Sequence, residues 1–294
     1  MENRSAAGHA AALVTILIWG TTFISTKVLL NSFLPVEILL IRFVMGFLAL
    51  LIVYPHRLKS AGIRQEGYFA LAGLCGVCLY YLLENIALTY TLASNVGVII
   101  SAAPFFTAIL SHIFMKGEDK LKKGFFVGFV AAMIGICLIS FQGTLLEFNP
   151  LGDFLALLAA FLWACYSVLT RKIAGFGYHT IQTTRRVFGY GIIFMFPALL
   201  LFDFHPDFSR FNDPVNLLNM LFLGLGASAL CFVTWNFAVR KLGAVKTSIY
   251  IYLVPVITVG TSVLVLKETI TWITVAGMAL TLAGLLLGER GTKA

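Results

Sequence analysis

Charged residues are scarce in this chain. Asp, Glu, Lys and Arg together make up 12% of its 294 residues, whereas hydrophobic residues make up 60%. A soluble domain has about a quarter charged residues and about half apolar residues. One compact core cannot bury so much apolar side chain, so the composition excludes an ordinary soluble enzyme and is typical of a polytopic membrane protein.

Acidic residues are scarcer than basic ones, with 13 Asp and Glu against 21 Lys and Arg. The basic surplus does not gather into one patch of the kind that binds nucleic acid, so no nucleic-acid partner is expected. It lies in alternate loops between apolar runs and at both termini. Because membrane proteins concentrate Lys and Arg in cytoplasmic loops, this pattern predicts that both termini are cytoplasmic.

Cysteine is infrequent as well, and all five Cys residues lie inside apolar runs. This placement argues against a disulfide framework. Cys75 and Cys78 form a CxxC sequence. Within a helix-like apolar run, that spacing favours packing of small side chains over a redox or metal site.

Motifs for catalysis and for ATP use are missing. The sequence has no HExxH, no Gly-x-Ser-x-Gly and no P-loop, and its apolar runs contain no pair of carboxylates. We therefore expect that the chain is not an enzyme and that it uses neither a metal nor a cofactor. The alternative to this expectation is an enzyme embedded in the membrane.

Apolar runs of the ~20 residues needed to cross a bilayer recur along the whole chain. They predict an all-α membrane protein with ten transmembrane helices in a single membrane domain, residues 1–294. The first run has no convincing cleavage site after it, so we interpret it as a helix and not as a signal peptide. The runs cover residues 10–30, 34–54, 68–90, 93–115, 124–142, 151–171, 181–202, 217–239, 245–266 and 272–288.

The second half of the sequence repeats the plan of the first. WGTTFISTK at Trp19–Lys27 corresponds to WACYSVLTR at Trp163–Arg171. Further pairs follow in the same order: Arg42 with Arg186, Asn85 with Asn236, Pro104 with Pro255, Glu118 with Glu268, and Gly128 with Gly277. We therefore predict two repeats of five helices, about residues 10–142 and 151–288.

Five is an odd number of crossings, so the second repeat must enter the membrane in the opposite sense. The charges agree, because the loop after the first helix has no cation while its counterpart in the second repeat is basic. Inverted repeats are characteristic of secondary transporters, in which one bundle rocks against the other. The alternative is a duplication retained for structural reasons alone, in a scaffold or receptor that does not transport.

These features together resemble the drug/metabolite transporter superfamily, specifically its EamA-type members. The resemblance rests on Trp19 in the first helix, the pair Arg42 and Phe43 in the second, Pro104 in the fourth and Glu118 after it. It implies ten helices, a bacterial cytoplasmic (inner) membrane, and efflux or exchange of small amphipathic metabolites such as amino acids or drugs. It also implies a central cavity lined mainly by helices 1, 3, 4, 6, 8 and 9.

Glu84 is the carboxylate that the prediction places deepest in the membrane. Ionisable groups at such depth are costly and mark functional sites. Glu84 could bind the ammonium group of a substrate or exchange a proton. The alternative is a structural ion pair with Lys27 or Arg42, which are predicted to lie at similar depth.

Lys27, Arg42, Arg171 and Arg186 are predicted to act as gates or in ion pairs. Lys27 and Arg171 each lie in the last turn of a predicted helix, where a cation complements the helix dipole. Snorkelling of these side chains to the lipid headgroups is the alternative.

Aromatic and amide side chains on the helices expected to line the cavity complete the predicted substrate site, because an apolar pocket with a few polar groups suits an organic solute. Pro104 and Pro255 are predicted hinges. Gly124 and Gly128 form a GxxxG that favours a close helix contact, either internal or with a second copy of the chain. The predicted substrate-binding residues are Trp19, Tyr80, Glu84, Asn85, Trp163, Tyr166, Trp235 and Tyr250.

Overall fold

The computed structural model describes residues 2–58, 62–90, 93–115, 123–140, 150–202, 204–205, 207–266 and 272–290. Glu118 and Glu268, which the sequence pairs between repeats, lie outside these residues. In the first half the helices are α1 (Glu2–Leu29), α2 (Pro35–Val53), α3 (Ile63–Tyr90), α4 (Ala93–Ile100), α5 (Ala103–Phe114) and α6 (Lys123–Ser140). In the second half they are α7 (Pro150–Ala174), α8 (Thr180–Leu201), α9 (Pro214–Leu242), α10 (Ala244–Ser248), α11 (Leu253–Leu266) and α12 (Trp272–Arg290).

The predicted all-α class is confirmed, since the regular secondary structure of the described residues is helical throughout. Within the described ranges, six helices are long and apolar enough to cross a membrane: α1, α2, α3, α7, α8 and α9. Four shorter apolar helical stretches lie in α5, in α6, from α10 into α11, and in α12. Helices suit the hydrocarbon core of a bilayer because each backbone N–H finds its acceptor within the same segment.

The two runs predicted as the fourth and ninth helices are each interrupted. A turn at Ser101 and Ala102 separates α4 from α5, and a 3₁₀ segment, Ile249–Tyr252, precedes α11. Pro104 and Pro255 therefore lie in the first turn of a helical segment and not in the middle of an unbroken helix. Proline fits there because it has no N–H to offer to the ladder and its φ is already helical.

Two of the long helices contain a π-helical segment: Leu74–Leu79 in α3 and Phe222–Leu230 in α9. Such segments are rare and are frequent at functional sites. In α3 the segment brings Gly76 against the ring of Tyr166 on α7, so closely that a Cβ at position 76 would overlap the ring. The small residue thus sets how near α3 and α7 approach.

The core lies between the two halves of the chain. Helix α1 packs on α9 and α11, α2 on α8 and α9, and α3 on α7 and α8. The principal contacts of these helices therefore cross from one half to the other. A site formed at this interface would change shape whenever the halves moved relative to each other.

Helices α6 and α12 pack directly against each other. Gly128 faces the backbone of Gly284 and Gly288, and Gly135 faces Gly277 and Thr281. Small residues allow this close approach. Gly128 therefore makes its close contact within the chain, which is the internal one of the two contacts that the GxxxG sequence predicted.

Candidate functional site

A cavity of about 30 Å³ lies in the core where the two halves meet. Its wall is formed mainly by aromatic residues of α1, α3 and α7 together with Glu84 of α3, and by aliphatic residues of α4, of the 3₁₀ segment and of α11. The lining residues are Trp19, Thr22, Phe23, Tyr80, Tyr81, Glu84, Ile100, Trp163, Ile251 and Val254. This volume holds a water or two. Small-molecule pockets measure roughly 300–1,000 Å³, so the cavity must widen before it can hold an organic solute.

The tryptophans that open the two repeated sequences contact each other in this wall. The ring centroids of Trp19 and Trp163 are 5.0 Å apart and the planes meet at 85°. Tyr80 lies 4.9 Å from Trp163, and Trp235 lies 5.1 Å from Trp19. Edge-to-face pairs of this kind are favourable beyond the apolar area they bury. The repeated motif thus supplies one ring from each half to a shared aromatic cluster.

The indole N–H groups of these tryptophans differ in whether they have a hydrogen-bond acceptor. Trp19 Nε1 donates to the carbonyl oxygen of Ala227, in the π-helical segment of α9, at 3.0 Å. The Nε1 atoms of Trp163 and Trp235 are buried and have no acceptor among the described residues. Buried donors are nearly always paired in native proteins. Trp163 lines the cavity, so its N–H is a candidate to bind a ligand there.

Glu84 lies in the cavity wall with 2% of its surface exposed. The hydroxyl of Tyr80, one turn earlier in α3, and the guanidinium of Arg42 are the neighbouring groups that interact with its carboxylate. The ion pairs between described residues join Arg186 to Glu66 and Arg210 to two other carboxylates, and none of them includes Glu84.

Arg42 is fully buried. Its Nε donates to Ser228 Oγ at 3.0 Å, and its guanidinium lies 4.4 Å from the centroid of the Tyr81 ring. Its two terminal nitrogens have no acceptor within the described part of the chain. A charged group with unmet donors in an apolar core is costly.

Two other predicted substrate residues, Tyr166 and Asn85, lie outside the cavity lining and make contacts between helices. Tyr166 donates to Asn236 Oδ1 at 2.9 Å, and Asn236 in turn donates to Thr184 Oγ1 at 3.0 Å, which joins α7, α9 and α8. Asn85 donates to the carbonyl oxygen of Pro35 at 3.1 Å. The corresponding asparagines of the two repeats thus both make hydrogen bonds between helices.

Tyr250 and Lys27 also lie away from the cavity lining. The hydroxyl of Tyr250 is 2.6 Å from Nδ1 of His9 on α1. Lys27 Nζ donates to the carbonyl oxygen of Leu88 at 2.7 Å, one turn beyond Glu84 in α3. Lys27 therefore ties α1 to α3 near one end of the bundle.

At the opposite end of the bundle, polar contacts join the two halves. Arg186 on α8 binds both carboxylate oxygens of Glu66 on α3, at 2.5 and 3.0 Å, and Tyr190 donates to Glu66 at 2.8 Å. The neighbouring Arg185 donates to the carbonyl oxygens of Tyr54 and His56 at 2.6 Å each. These contacts hold the start of α8 against α3 and against the end of α2.

Two further cations, Arg210 and Arg171, make contacts at the ends of the helix bundle. Arg210 forms an ion pair with Glu37 at 2.7 Å, which fastens the segment before α9 to the start of α2. Arg171 donates to the carbonyl oxygen of Arg240 at 3.1 Å, near the C-terminal end of α9. Of the predicted gate or ion-pair residues, Arg186 is in an ion pair, Arg171 binds backbone carbonyls, and Arg42 faces the core.

Sequence reasoning missed several partners in these contacts: Tyr81, Ser228, Glu66, Glu37 and Arg210. Glu66 had a detectable signal, since it is a carboxylate in the first turn of a helix that follows a basic loop. Ser228 had none, because a serine within an apolar run is ordinary in membrane helices.

Comparison with known proteins agrees with this architecture. A solved crystal structure superposes with a TM-score of 0.75 over 98% of both chains at 19% sequence identity, which shows a shared fold. An uncharacterized transporter from Archaeoglobus fulgidus is 30% identical over 95% of this chain and 96% of its own length. A protein of Streptantibioticus cattleyicolor named "Probable terminal-alkyne amino-acid exporter" is 25% identical over 96% of this chain and 93% of its own.

The sequence model of the EamA-like transporter family matches this chain twice, over residues 6–141 and again over residues 150–288. The two matches together cover nearly all of the chain. The interface between these two matched halves contains the aromatic cluster and Glu84. The apolar helices and the transporter relatives together identify an integral membrane protein. The chain belongs to the EamA-like transporter family, within the drug/metabolite transporter superfamily.

Proposed function

We propose that this protein is a secondary transporter that exports or exchanges small amphipathic metabolites, amino acids or related compounds, by alternating access. The observation that carries the proposal is a buried carboxylate, Glu84, in an aromatic cavity between the two halves of the chain. A midplane site at the junction of two bundles is what a rocking transporter uses.

The proposal includes the inverted duplication, with repeats at about residues 10–142 and 151–288, ten crossings and both termini in the cytoplasm of a bacterial cell. Irregularities at corresponding places support it. Each half has a π-helical segment in its third predicted helix, and each has a break beside a proline in its fourth. An unrelated pair of bundles would not be expected to share both features.

The groups in and near the cavity favour a solute with an ammonium group. The carboxylate of Glu84 can accept its hydrogen bonds, and the rings of Trp19, Trp163 and Tyr80 present faces that attract a cation. Arg42, whose terminal nitrogens lack acceptors, offers donors for a carboxylate. An α-amino acid carries both groups, and the named amino-acid exporter among the relatives supports this substrate class.

Alternating access would require the contacts at the two ends to open in turn. The Arg186–Glu66 pair joins the halves at one end, and the Arg210–Glu37 pair joins them at the other. With both pairs formed, the cavity is too small for an organic solute. We therefore propose that loading or release of substrate breaks one pair and widens the cavity towards that side.

Two roles for Glu84 follow from the same geometry, and transport assays separate them. As a ligand for an ammonium group, Glu84 gives selectivity without any need for a proton gradient. As a proton-exchanging group, it couples export to proton entry. The hydroxyl of Tyr80 can stabilise the carboxylate in either role.

The test is counterflow uptake in proteoliposomes, with amino acids, nucleobases and cationic drugs as solutes. Glu84→Gln preserves the shape of the side chain and removes its charge. Asp213→Asn is the matched control, because that carboxylate is exposed, and an asparagine can keep its hydrogen bond from the N–H of Val215 at the start of α9. We expect a solute to exchange in the wild type and in Asp213→Asn, and to lose its exchange or its pH dependence in Glu84→Gln.

Normal exchange by Glu84→Gln at every pH would show that the carboxylate is structural. If no solute exchanged in a demonstrably folded preparation, the transport proposal itself would fail, and a scaffold or receptor would become the better reading.

A further inference from the structure

A second and larger concavity lies on the lateral surface of the bundle, between α2 and α8. Its volume is about 530 Å³. It is separate from the central cavity, and the two share no lining residue. Neither the transport proposal nor the similarity to known transporters gives this groove a role.

One end of the groove is basic. Arg57, Arg185 and Arg186 all line it, and the lining contains no carboxylate. Arg185 uses its terminal nitrogens on the carbonyl oxygens of Tyr54 and His56, and Arg186 is paired with Glu66. Arg57 is exposed, and no ion pair between described residues includes it. Three guanidinium groups against one carboxylate give this end a positive potential.

The other end of the groove is apolar and faces outward. Phe47, Leu51 and Ile193 line it, and Ile193 is 59% exposed. Beyond it on the same helix, Phe196 is 58% exposed. Side chains of this kind on the outside of a membrane helix contact lipid acyl chains.

The length of the groove matches one leaflet of a bilayer. On α8 its lining runs from Gln182 to Ile193, a rise of about 16 Å at 1.5 Å per residue. Half of a ~30 Å hydrocarbon core is about 15 Å. The basic end lies just past the end of α2 and at the start of α8, where the distribution of cations places the cytoplasmic surface.

We propose that this groove binds one anionic phospholipid of the cytoplasmic leaflet. Its phosphate lies against Arg57 and Arg186, and one acyl chain lies along Leu51 and Ile193. Arg185 adds to the positive potential while it holds the turn after α2 in place. Basic pockets between helices on the cytoplasmic side are suited to anionic headgroups.

The occupant follows from the combination of the two ends. A soluble phosphate compound would satisfy the arginines but would leave the apolar end in contact with lipid. A zwitterionic lipid would fill the apolar end, but its own cation would oppose the three guanidinium groups. An anionic phospholipid satisfies both ends.

The test is native mass spectrometry of the delipidated full-length protein, titrated with phosphatidylglycerol or with phosphatidylcholine of the same acyl chains. Arg57→Gln removes the exposed guanidinium, and Arg64→Gln is the matched control. Arg64 is likewise exposed but lines a different concavity, with Tyr68 and Lys172. Glycerol 3-phosphate is the soluble competitor.

We expect one phosphatidylglycerol to be retained in preference to phosphatidylcholine. Arg57→Gln should weaken its binding about five-fold, the contribution of one guanidinium at an anionic surface, whereas Arg64→Gln should change it less than about two-fold. Glycerol 3-phosphate should not displace the lipid. Equal retention of the two lipids, equal effects of the two arginine variants, or displacement by glycerol 3-phosphate would overturn the proposal.

A second pair of variants tests the apolar end. A Cβ at Gly189 would meet the Phe47 ring at 3.6 Å, an ordinary contact, so Gly189→Leu should fold and fill the groove. Gly67→Leu is the control, because that position is open. We expect Gly189→Leu alone to reduce retention of phosphatidylglycerol, and retention by a folded Gly189→Leu equal to that of the wild type would contradict the binding mode. These measurements need no transported solute, so they stand or fall independently of the transport assay.

Discussion

Removing the contact between Arg186 and Glu66 should release one end of the bundle. Glu66→Gln and Arg186→Gln each abolish the charge pair, and the double variant completes a mutant cycle. The pair is bidentate, but 41% of the Arg186 side chain and 18% of the Glu66 side chain are exposed. Solvent screens a pair of this exposure, so we expect a coupling free energy of about 1 kcal/mol, well below that of a buried pair.

In the alternating-access scheme this free energy favours conformations that are closed at that end. Its loss should raise the population open at that end about five-fold, since ~1.4 kcal/mol corresponds to a factor of ten. The assay is alkylation of a single cysteine that replaces Ala174, at the end of α7, in a background without the native cysteines. Both single variants should raise the alkylation rate, and the double variant should add little to either.

Additive effects of the two substitutions would show that the side chains do not act as a pair. An unchanged alkylation rate in all three variants would refute the assignment of this contact to a gate. Arg64→Gln, an exposed cation outside the pair, controls for the loss of positive charge at this surface.

Two further predictions concern the helices themselves. Gly76→Ala should destabilise the fold by about 1–3 kcal/mol, because its Cβ overlaps the ring of Tyr166, whereas Gly67→Ala should not; thermal unfolding in detergent measures both. If the breaks beside Pro104 and Pro255 act as hinges, Pro104→Ala and Pro255→Ala should slow solute exchange in proteoliposomes. An unchanged exchange rate in both variants would contradict the hinge role.

The helical class followed from composition, and the repeated motif showed that Trp19 and Trp163 occupy corresponding positions, but their contact was seen only in the structure. Periodicity places an apolar run in a helix, but it does not fix which way each side chain faces. The π-helical segment Leu74–Leu79 illustrates this limit. One extra residue in a turn rotates everything after it by about 100°, so the directions of Tyr80 and Glu84 do not follow from a regular helix.

The partners of the buried cations were hard to predict for a related reason. Similar depth suggested that Arg42 and Lys27 would pair with Glu84, yet Arg42 bonds Ser228 and Lys27 bonds a backbone carbonyl. Depth restricts candidates to a layer, whereas a contact also depends on the rotation of two helices. The positions of Asn85 and Tyr250 away from the cavity have the same explanation.

The most direct test of the central claim uses the intrinsic fluorescence of the cavity itself. The chain has four tryptophans, and three of them, Trp19, Trp163 and Trp235, form the aromatic cluster. The fourth, Trp272, is 88% exposed, so Trp272→Phe leaves a protein whose tryptophan emission reports only on the cluster.

A solute that exchanges in proteoliposomes should change this emission saturably, and Glu84→Gln in the same background should weaken or abolish the change. Saturable exchange of a solute that leaves the emission of the cluster unaltered would contradict the account, because substrate would then pass elsewhere in the protein.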